Sequence, residues 1–227
     1  MDWNDRVYSC FYTQEKNRGI VLSSLMTMFS LFGSQCKDSS MRKPKISVTE
    51  ATIVITGATS GFGRGVALEL ARLGANVVLA ARRTAALEGL KNEIIAGGGK
   101  AMVVTTDVSR PEDVATLARA SIERFDHIDV WINNVGIGAL GLFWDIPIED
   151  HARVVDVNLK GLIYGAHEAL RQFRIQGFGT LINMGSIDSE VPLAYQASYA
   201  ASKAAVLSLS RSLNVELKLS GNVLAQT

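Results

Sequence analysis

The chain has 227 residues, of which 48% are hydrophobic and 20% are charged, and its formal net charge at pH 7 is +1. This length and composition fit one globular domain with a sizeable core, and the near-zero charge argues against a nucleic-acid-binding protein. The two cysteines, Cys10 and Cys36, argue against a disulfide framework and a cysteine-rich metal site. The three histidines lack the spacing of metal ligands, so no metal site is predicted.

The first 47 residues differ from the rest and are interpreted as an N-terminal extension, with the main domain over 48–227. Within the extension, 19–36 is an uncharged run of 18 residues, which reaches the lower limit for a membrane span. Its serines and threonines weaken that interpretation, and acidic residues precede it where a signal peptide would be basic. Two alternatives stay open: a hydrophobic anchor on a cytosolic domain, and a loosely ordered extension of a cytoplasmic protein.

The stretch 51–65 predicts a strand, a glycine loop and the start of a helix. Its apolar beginning is typical of a strand buried on both faces, and 66–74 continues with helical spacing. Between them lie Gly57, Gly61 and Gly63. Without Cβ atoms a pyrophosphate can approach the backbone, and free N–H groups at a helix N-terminus hold phosphate. This unit therefore predicts a nucleotide-binding loop.

Strands and helices alternate from there on. Strands are predicted over 76–80, 101–105, 128–132 and 180–184, and helices from 84 to 96, from 111 onward, from 148 to 176 and from 197 to 219. This alternation predicts an α/β fold with a doubly wound parallel sheet of the Rossmann type. Ligands of such sheets bind beyond the carboxyl ends of the strands, where Thr56, Asp107, Asn133 and Ser186 fall.

The end of the second predicted strand bears on the choice of cofactor. A carboxylate at this place binds the ribose of NAD, whereas an arginine accommodates the extra phosphate of NADP. The sequence has Ala81 followed by Arg82 and Arg83, without a carboxylate. The guanidinium fork suits a phosphate, so NADP(H) is favoured over NAD(H), with a solvated basic turn as the alternative.

A candidate acid–base pair lies near the end of the chain. Tyr199 and Lys203 are four residues apart in a predicted helix, which places them on one face. A tyrosine ordinarily titrates near pH ~10, and a neighbouring ammonium favours the phenolate, so the pair could exchange protons at neutral pH. Ser186, 13 residues upstream at a strand end, could bind a carbonyl oxygen.

Taken together, these motifs resemble those of the short-chain dehydrogenase/reductase family over about 48–219. The family's glycine motif stands as 56–63, its aspartate after the third strand as Asp107, and its Asn-Asn-Ala-Gly motif as 133–136, where Val135 replaces alanine. Its catalytic asparagine, which kinks a helix in the family, matches Asn158. The resemblance implies cofactor contacts at Thr56, Gly57, Thr59, Ser60, Gly61, Phe62, Gly63, Arg82, Arg83, Asp107, Val108, Asn133, Val135, Gly136, Tyr199 and Lys203.

The same resemblance implies a role for each catalytic residue. Tyr199 would exchange the proton with the substrate, and Ser186 would orient the substrate carbonyl. Lys203 would lower the pKa of the tyrosine and bind the nicotinamide ribose, while Asn158 would hold a relay water. Tyr195 has a tyrosine rather than a lysine four residues on, so no catalytic role is expected for it.

The implied function is NADP(H)-dependent interconversion of a small carbonyl compound and its alcohol by hydride transfer. The resemblance also implies a homo-oligomer formed through the helices over 148–176 and 197–219. The chain stops where family members continue into further strands and a substrate loop, so a truncated C-terminus is expected. The alternative function is therefore a catalytically impaired, nucleotide-binding remnant.

Little in the sequence identifies the substrate. The loop 137–147 is apolar and carries Phe143 and Trp144, which indicates only a hydrophobic substrate surface. Asp188 and Glu190 follow Ser186 closely and could contact polar groups, but exposure to solvent is the expectation for both.

Overall fold

The computed structural model describes residues 47–191 and 193–219. The predicted extension, with its apolar run 19–36, lies outside the described residues, so both interpretations of it stay predictions. Within the described part, no helix combines the length and the apolar character that crossing a membrane requires.

The described domain is built on one parallel sheet. Its strands are β1 (Thr52–Thr56), β2 (Asn76–Ala81), β3 (Lys100–Thr105), β4 (Val130–Asn133) and β5 (Thr180–Asn183). They lie side by side in the order β3-β2-β1-β4-β5. The chain therefore runs outward from β1 in one direction and then returns to add β4 and β5 on the other side. This reversal leaves a crevice beyond the carboxyl ends of β1 and β4, where such folds bind their ligands.

Helices connect and flank these strands. They are α1 (Gly61–Arg72), α2 (Thr84–Ala96), α3 (Pro111–Phe125), α4 (Ile148–Val155), α5 (Gly161–Gln176) and α6 (Ala197–Leu219). A 3-10 turn over Ile187–Ser189 separates β5 from α6. The predicted α/β fold with a Rossmann-type parallel sheet is confirmed.

The core explains why these segments take these conformations. Every residue of β1 is buried, as expected for a central strand of a parallel sheet. On one face of the sheet Val54, Trp131 and Leu181 are fully buried and belong to the same apolar cluster as Phe173 of α5. At ~25 cal/mol per Å² of buried apolar surface, side chains of this size contribute about 1.5–3 kcal/mol each.

Two predicted elements differ from the observed ones. The fourth strand begins at Val130 rather than at 128. Asp129 just before it accepts a hydrogen bond from the Thr52 amide at 2.7 Å through its carboxylate. The long helix predicted over 148–176 is divided by a π-helical turn over Asp156–Lys160. Such turns often mark functional sites, and this one contains Asn158.

Candidate active site

The carboxyl ends of β1 and β4 are joined by side-chain hydrogen bonds. Thr56 Oγ1 donates to the Ile132 carbonyl at 3.2 Å and accepts from the Asn134 amide at 3.1 Å. Asn134 Nδ2 donates in turn to the carbonyls of Thr56 and Gly57, at 3.2 and 3.4 Å. These bonds fix the mouth of the crevice, so Asn134, for which the sequence predicted no role, is a structural residue of the site.

The glycine loop turns tightly above this joint. Gly57 and Gly61 have φ angles of +71° and +52°, a region that side chains with a Cβ rarely adopt. A Cβ on Gly63 would lie 2.4 Å from the Gly57 carbonyl oxygen, so only glycine allows this close approach. At Gly61, no described atom lies within 4 Å of the Cβ position. The side chain of Ser60 makes no capping hydrogen bond to α1. Open space and an uncapped helix N-terminus are what a pyrophosphate needs.

Two arginines follow the end of β2, beside this loop and Asp107, which follows β3. Arg83 Nη2 donates to Thr59 Oγ1 of the glycine loop at 3.0 Å, whereas exposed Arg82 acts electrostatically on Asp107. Partial burial opposes ionisation of Asp107, but hydrogen bonds from Ser109 and the charge of Arg82 hold its pKa below the ordinary value. The sequence favoured Arg82 as the phosphate ligand; the structure places Arg83 in direct contact with the loop.

Asn133 is buried at the end of β4 and is occupied within the core. Its Oδ1 accepts from Trp131 Nε1 at 2.8 Å, and its Nδ2 donates to the Leu162 carbonyl at 3.3 Å and to Asn183 Oδ1 at 3.0 Å. Its side chain thus ties β4 to β5 and α5. Both Nδ2 hydrogens are used in this way, so a cofactor acceptor could bind Nδ2 only if one of these bonds broke.

Asn158, in the π-helical turn, organises the loop that follows β4. Its Oδ1 accepts from the Ile137 amide and its Nδ2 donates to the Ile137 carbonyl, both at 2.8 Å. The same Nδ2 donates to Ser202 Oγ at 3.0 Å, and Ser202 Oγ donates to the Tyr199 carbonyl at 2.7 Å. This chain of bonds connects the loop to the helix turn that carries Tyr199. The relay water expected at Asn158 stays a prediction.

Lys203 lies one turn along α6 from Tyr199, as the spacing predicts. Its side chain is 2% exposed, and its Nζ donates to the Met184 carbonyl at 2.8 Å. The Nζ lies 5.8 Å from the centroid of the Tyr199 ring, and a Cβ on Gly136 would be 3.5 Å from it. Burial lowers the pKa of the Lys203 ammonium to about 8, because desolvation disfavours its charged form.

Ser186 follows β5 and caps the 3-10 turn. Its Oγ accepts from the Asp188 amide at 3.3 Å and donates to Asp188 Oδ2 at 3.4 Å. Its amide donates to Ser189 Oγ at 3.3 Å. Exposure was expected for Asp188 and Glu190; Glu190 is exposed, but for Asp188 the expectation is wrong, since it is buried beside Ser186. The capping turn folds the Asp188 carboxylate back onto the serine, which residue type alone does not reveal.

His151 is a residue of this region that sequence reasoning missed. It is buried in α4; its Nε2 hydrogen-bonds the Phe143 carbonyl at 3.0 Å, and its Nδ1 hydrogen-bonds Ser198 Oγ. Because a carbonyl only accepts, Nε2 carries the proton. His151 thereby fastens the apolar loop to the residue that precedes Tyr199. Its only sequence signal is a polar residue on an otherwise apolar helix face.

Comparisons with known proteins place this geometry among relatives. A family model described as short chain dehydrogenase matches residues 51–225. The uncharacterized oxidoreductase YxnA of Bacillus subtilis is 37% identical over 170 residues, covering 74% of this chain and 48% of that protein. The L-rhamnose 1-dehydrogenase (NAD(P)(+)) of Azotobacter vinelandii is 37% identical over 174 residues, covering 74% of this chain and 68% of that protein.

Solved structures of similar proteins share the fold of this chain. A short chain dehydrogenase/reductase from Burkholderia phymatum, crystallised in complex with NAD, superposes with a TM-score of 0.77 at 33% identity, covering 79% of this chain and 64% of that one. A variant actinorhodin polyketide ketoreductase with NADPH gives a TM-score of 0.73 at 28% identity, covering 78% and 69%. The chain thus spans about half the length of the Bacillus relative and under two thirds of the Burkholderia structure. By its family match and its sheet topology, the chain belongs to the short-chain dehydrogenase family.

Proposed function

We propose that this chain is an oxidoreductase that interconverts a carbonyl group and an alcohol, with NADP(H) as the hydride carrier. The observation that carries the proposal is the buried Lys203 ammonium one helix turn from the Tyr199 phenol, beside the open crevice at the carboxyl ends of β1 and β4. A buried ammonium is costly, so its presence favours a functional explanation.

The residues at the crevice fit a nicotinamide dinucleotide. The glycine loop and the N-terminus of α1 would hold the pyrophosphate, and Asp107 would lie at the adenosine end. The loop through Gly136 would border the nicotinamide, near the Lys203 amine. The bound cofactor supplies or accepts a hydride at its nicotinamide ring.

The protein's own groups would handle the proton and the orientation of the substrate. Ser186 Oγ would exchange its 3.4 Å hydrogen bond to Asp188 Oδ2 for one to the substrate oxygen. The Tyr199 phenol would give that oxygen a proton during reduction. The Lys203 ammonium would stabilise the negative charge that develops on the phenol oxygen. Asn158 would act through position, because its side chain holds the loop at Ile137 and the Ser202 hydroxyl under Tyr199.

NADP(H) is proposed over NAD(H) on the charge at the end of β2. Arg83 brings its guanidinium to the glycine loop, where it contacts Thr59, and Arg82 acts electrostatically on Asp107. Position 81, where a carboxylate would repel a phosphate, is an alanine. The solved relatives bind NAD in one case and NADPH in another, so the preference of this chain is a proposal from its own residues.

The test is a matched pair of tyrosine variants. Acetophenone reduction should be followed by NADPH absorbance for the wild type, Tyr199→Phe and Tyr195→Phe. Tyr195 is exposed and serves as the control for losing a nearby phenol.

We expect Tyr199→Phe to keep less than about a tenth of kcat, a barrier change above about 1.4 kcal/mol, with NADPH affinity unchanged. Retained turnover in Tyr199→Phe, or an equal loss in both variants, would show that the acid–base assignment is wrong. NADPH binding without any turnover by the wild type would favour the alternative of a nucleotide-binding remnant.

A further inference from the structure

His151 is a buried polar side chain that takes no part in the proton transfer just described. It lies in α4 and is 8% exposed. Its Nε2 donates to the Phe143 carbonyl at 3.0 Å, and in the neutral ring Nδ1 accepts from Ser198 Oγ. The Phe143 ring packs against the imidazole, with 4.5 Å between the ring centroids. One side chain thus joins three segments: the loop after β4, α4 and the start of α6.

The two segments that His151 joins to α4 both border Tyr199. Ser198 directly precedes Tyr199 in the first turn of α6. A Cβ on Gly138 of the loop would lie 3.9 Å from Tyr199 Cδ2, so the loop backbone is in van der Waals range of the ring. The bonds of His151 therefore fix the spacing between the helix turn that carries the phenol and the loop beside it.

Two directed hydrogen bonds specify this spacing more narrowly than apolar contact would. An apolar side chain of similar volume would fill the same space without burying two ring nitrogens. A satisfied polar network instead favours one arrangement, since each bond tolerates only a small range of distance and angle. Proton transfer needs such precision, because a displacement of about 1 Å at a reacting group can lower a rate about a hundredfold.

Building on the proposed function, we propose that His151 is a positioning residue for Tyr199. Through Ser198 it fixes the turn of α6 that presents the phenol, and through Phe143 it fixes the loop that borders the ring. Both of its ring nitrogens are used within the protein, so His151 itself exchanges no proton with the substrate. Its contribution is therefore to kcat, the rate at a filled site, rather than to the binding of substrate or cofactor.

Three variants of the full chain break these bonds separately and together. His151→Phe keeps an aromatic ring against Phe143 but has no hydrogen bonds, and Ser198→Ala removes only the bond to Nδ1. The double variant completes a mutant cycle. His127→Phe is the matched control, because His127 also combines an aromatic contact with a polar one, 3.1 Å to Asp129 Oδ2. It precedes β4, at the end of that strand opposite the crevice.

Two measurements are made on each variant. Acetophenone reduction with saturating NADPH gives kcat and KM. Hydrogen exchange followed by mass spectrometry reports the loop without any turnover, through the Gly141 amide, which donates to the Tyr195 carbonyl at 3.0 Å.

We expect kcat to fall at least about tenfold in His151→Phe and in Ser198→Ala, with KM and NADPH affinity within about twofold of the wild type. The double variant should lose no more than His151→Phe, because both changes break the same connection. Exchange at Gly141 should be faster in His151→Phe and unchanged in His127→Phe. If His151→Phe does not fold, Ser198→Ala decides alone, since it removes one oxygen from a half-buried side chain.

An unchanged kcat in Ser198→Ala, a higher KM with unchanged kcat, or additive losses in the double variant would overturn the inference. Unchanged exchange at Gly141 in His151→Phe would overturn it whatever the turnover. Faster exchange there, in a protein whose wild type does not reduce acetophenone, would support the hold of His151 on the loop. That result would count against the proposed oxidoreductase function instead.

Discussion

Burial of the single residue Lys203 lowers the free energy of unfolding of the whole domain. Its ammonium is buried, and its pKa falls from 10.5 to about 8 because desolvation disfavours the charge. Below pH ~8, the pKa of Lys203 in the folded chain, both the folded and the unfolded chain carry this proton. The folded state then bears the full free-energy cost of burying the ammonium. Between the two pKa values the unfolded state binds more protons, so the free energy of unfolding rises with pH.

The first prediction uses this linkage. The fall of the Lys203 pKa from 10.5 to about 8 on folding corresponds to about 3 kcal/mol. Relative to Lys203→Met, the wild type should therefore gain about 3 kcal/mol in free energy of unfolding as pH rises from about 7 to about 10.5. Urea denaturation of both proteins across this range measures the difference. A constant difference between the two proteins would mean that Lys203 titrates normally.

The second prediction concerns the two arginines at the cofactor crevice. The wild type should bind NADPH at least about tenfold more tightly than NADH, which needs only about 1.4 kcal/mol from a charge-assisted hydrogen bond. Ala81→Asp combined with Arg82→Ala should reverse the preference, since the carboxylate repels a phosphate and one guanidinium is gone. Arg83→Ala should weaken NADPH alone, because Arg83 contacts the loop at Thr59.

The measurement is a titration of nicotinamide fluorescence, which requires no substrate. Arg119→Ala on α3 is the control, because this substitution removes one positive charge from an exposed helix surface. Equal affinities of the wild type for the two cofactors would remove the role given to the arginines.

At the scale of elements, the fold depends on how closely α5 approaches the end of β4. A Cβ on Gly165 of α5 would lie 2.1 Å from Asn133 Oδ1 and 3.0 Å from Trp131 Nε1. Only a glycine lets the helix pass over the hydrogen bond between these side chains. The small residue thereby protects the network that joins β4 to β5.

The third prediction compares two glycines in helices. Gly165→Ala should destabilise the fold by about 3 kcal/mol or more, because overpacking and the loss of a buried hydrogen bond combine. Gly89→Ala in α2 is the control: the described structure has no atom within 4 Å of its Cβ position. This exposed helical change should stabilise by about 0.5–1 kcal/mol. Thermal unfolding of both variants gives the comparison. Stabilisation by Gly165→Ala together with destabilisation by Gly89→Ala would refute the packing argument.

Local pattern predicted the elements well and their joints poorly. The helix over Thr84–Ala96 and the strand over Asn76–Ala81 follow from apolar spacing and from glycines, which act within a few residues. Apolar spacing gives no signal for the π-helical turn at Asn158, where only the family resemblance implied a kink. Burial of Asp188 was missed for a similar reason: a carboxylate gives no local signal that its turn will fold inward.

Motif order predicted the candidate site better than residue type did. Tyr199 and Lys203 share a helix, so their spacing alone predicted that they face one way. Which of Arg82 and Arg83 contacts the glycine loop depends on side-chain rotamers and on the neighbouring Thr59, which the sequence does not specify. Likewise, nothing near His151 in the sequence indicates Ser198 as its partner, because 47 residues separate them.

At the scale of the whole molecule, the strand order gathers distant residues at one edge of the sheet. The reversal at β1 and β4 brings the glycine loop, the Gly136 loop and the end of β5 to the same side. The predicted association through the helices over 148–176 and 197–219 stays a prediction. A dinucleotide that bridges this crevice should bind the folded state only, and so stabilise it.

The fourth prediction follows from that linkage. NADPH at about 100 times its dissociation constant should raise the free energy of unfolding by about 2.7 kcal/mol. Differential scanning fluorimetry with and without NADPH shows this as a higher Tm. Adenosine alone lacks the pyrophosphate that the glycine loop is expected to hold, so it should give a much smaller shift. Equal shifts for both ligands would argue against the role assigned to the glycine loop.

The most direct measurement of the central claim is a single-turnover transfer of deuterium. NADPH that carries deuterium at the transferable position of its nicotinamide is mixed with excess protein and acetophenone, and the alcohol is analysed by mass spectrometry. Deuterium should appear on the carbinol carbon in step with NADPH oxidation, whereas Tyr199→Phe should bind the cofactor but form no labelled alcohol. Binding of NADPH without labelled alcohol from the wild type, or undiminished labelling by Tyr199→Phe, would contradict hydride transfer with Tyr199 as the proton donor.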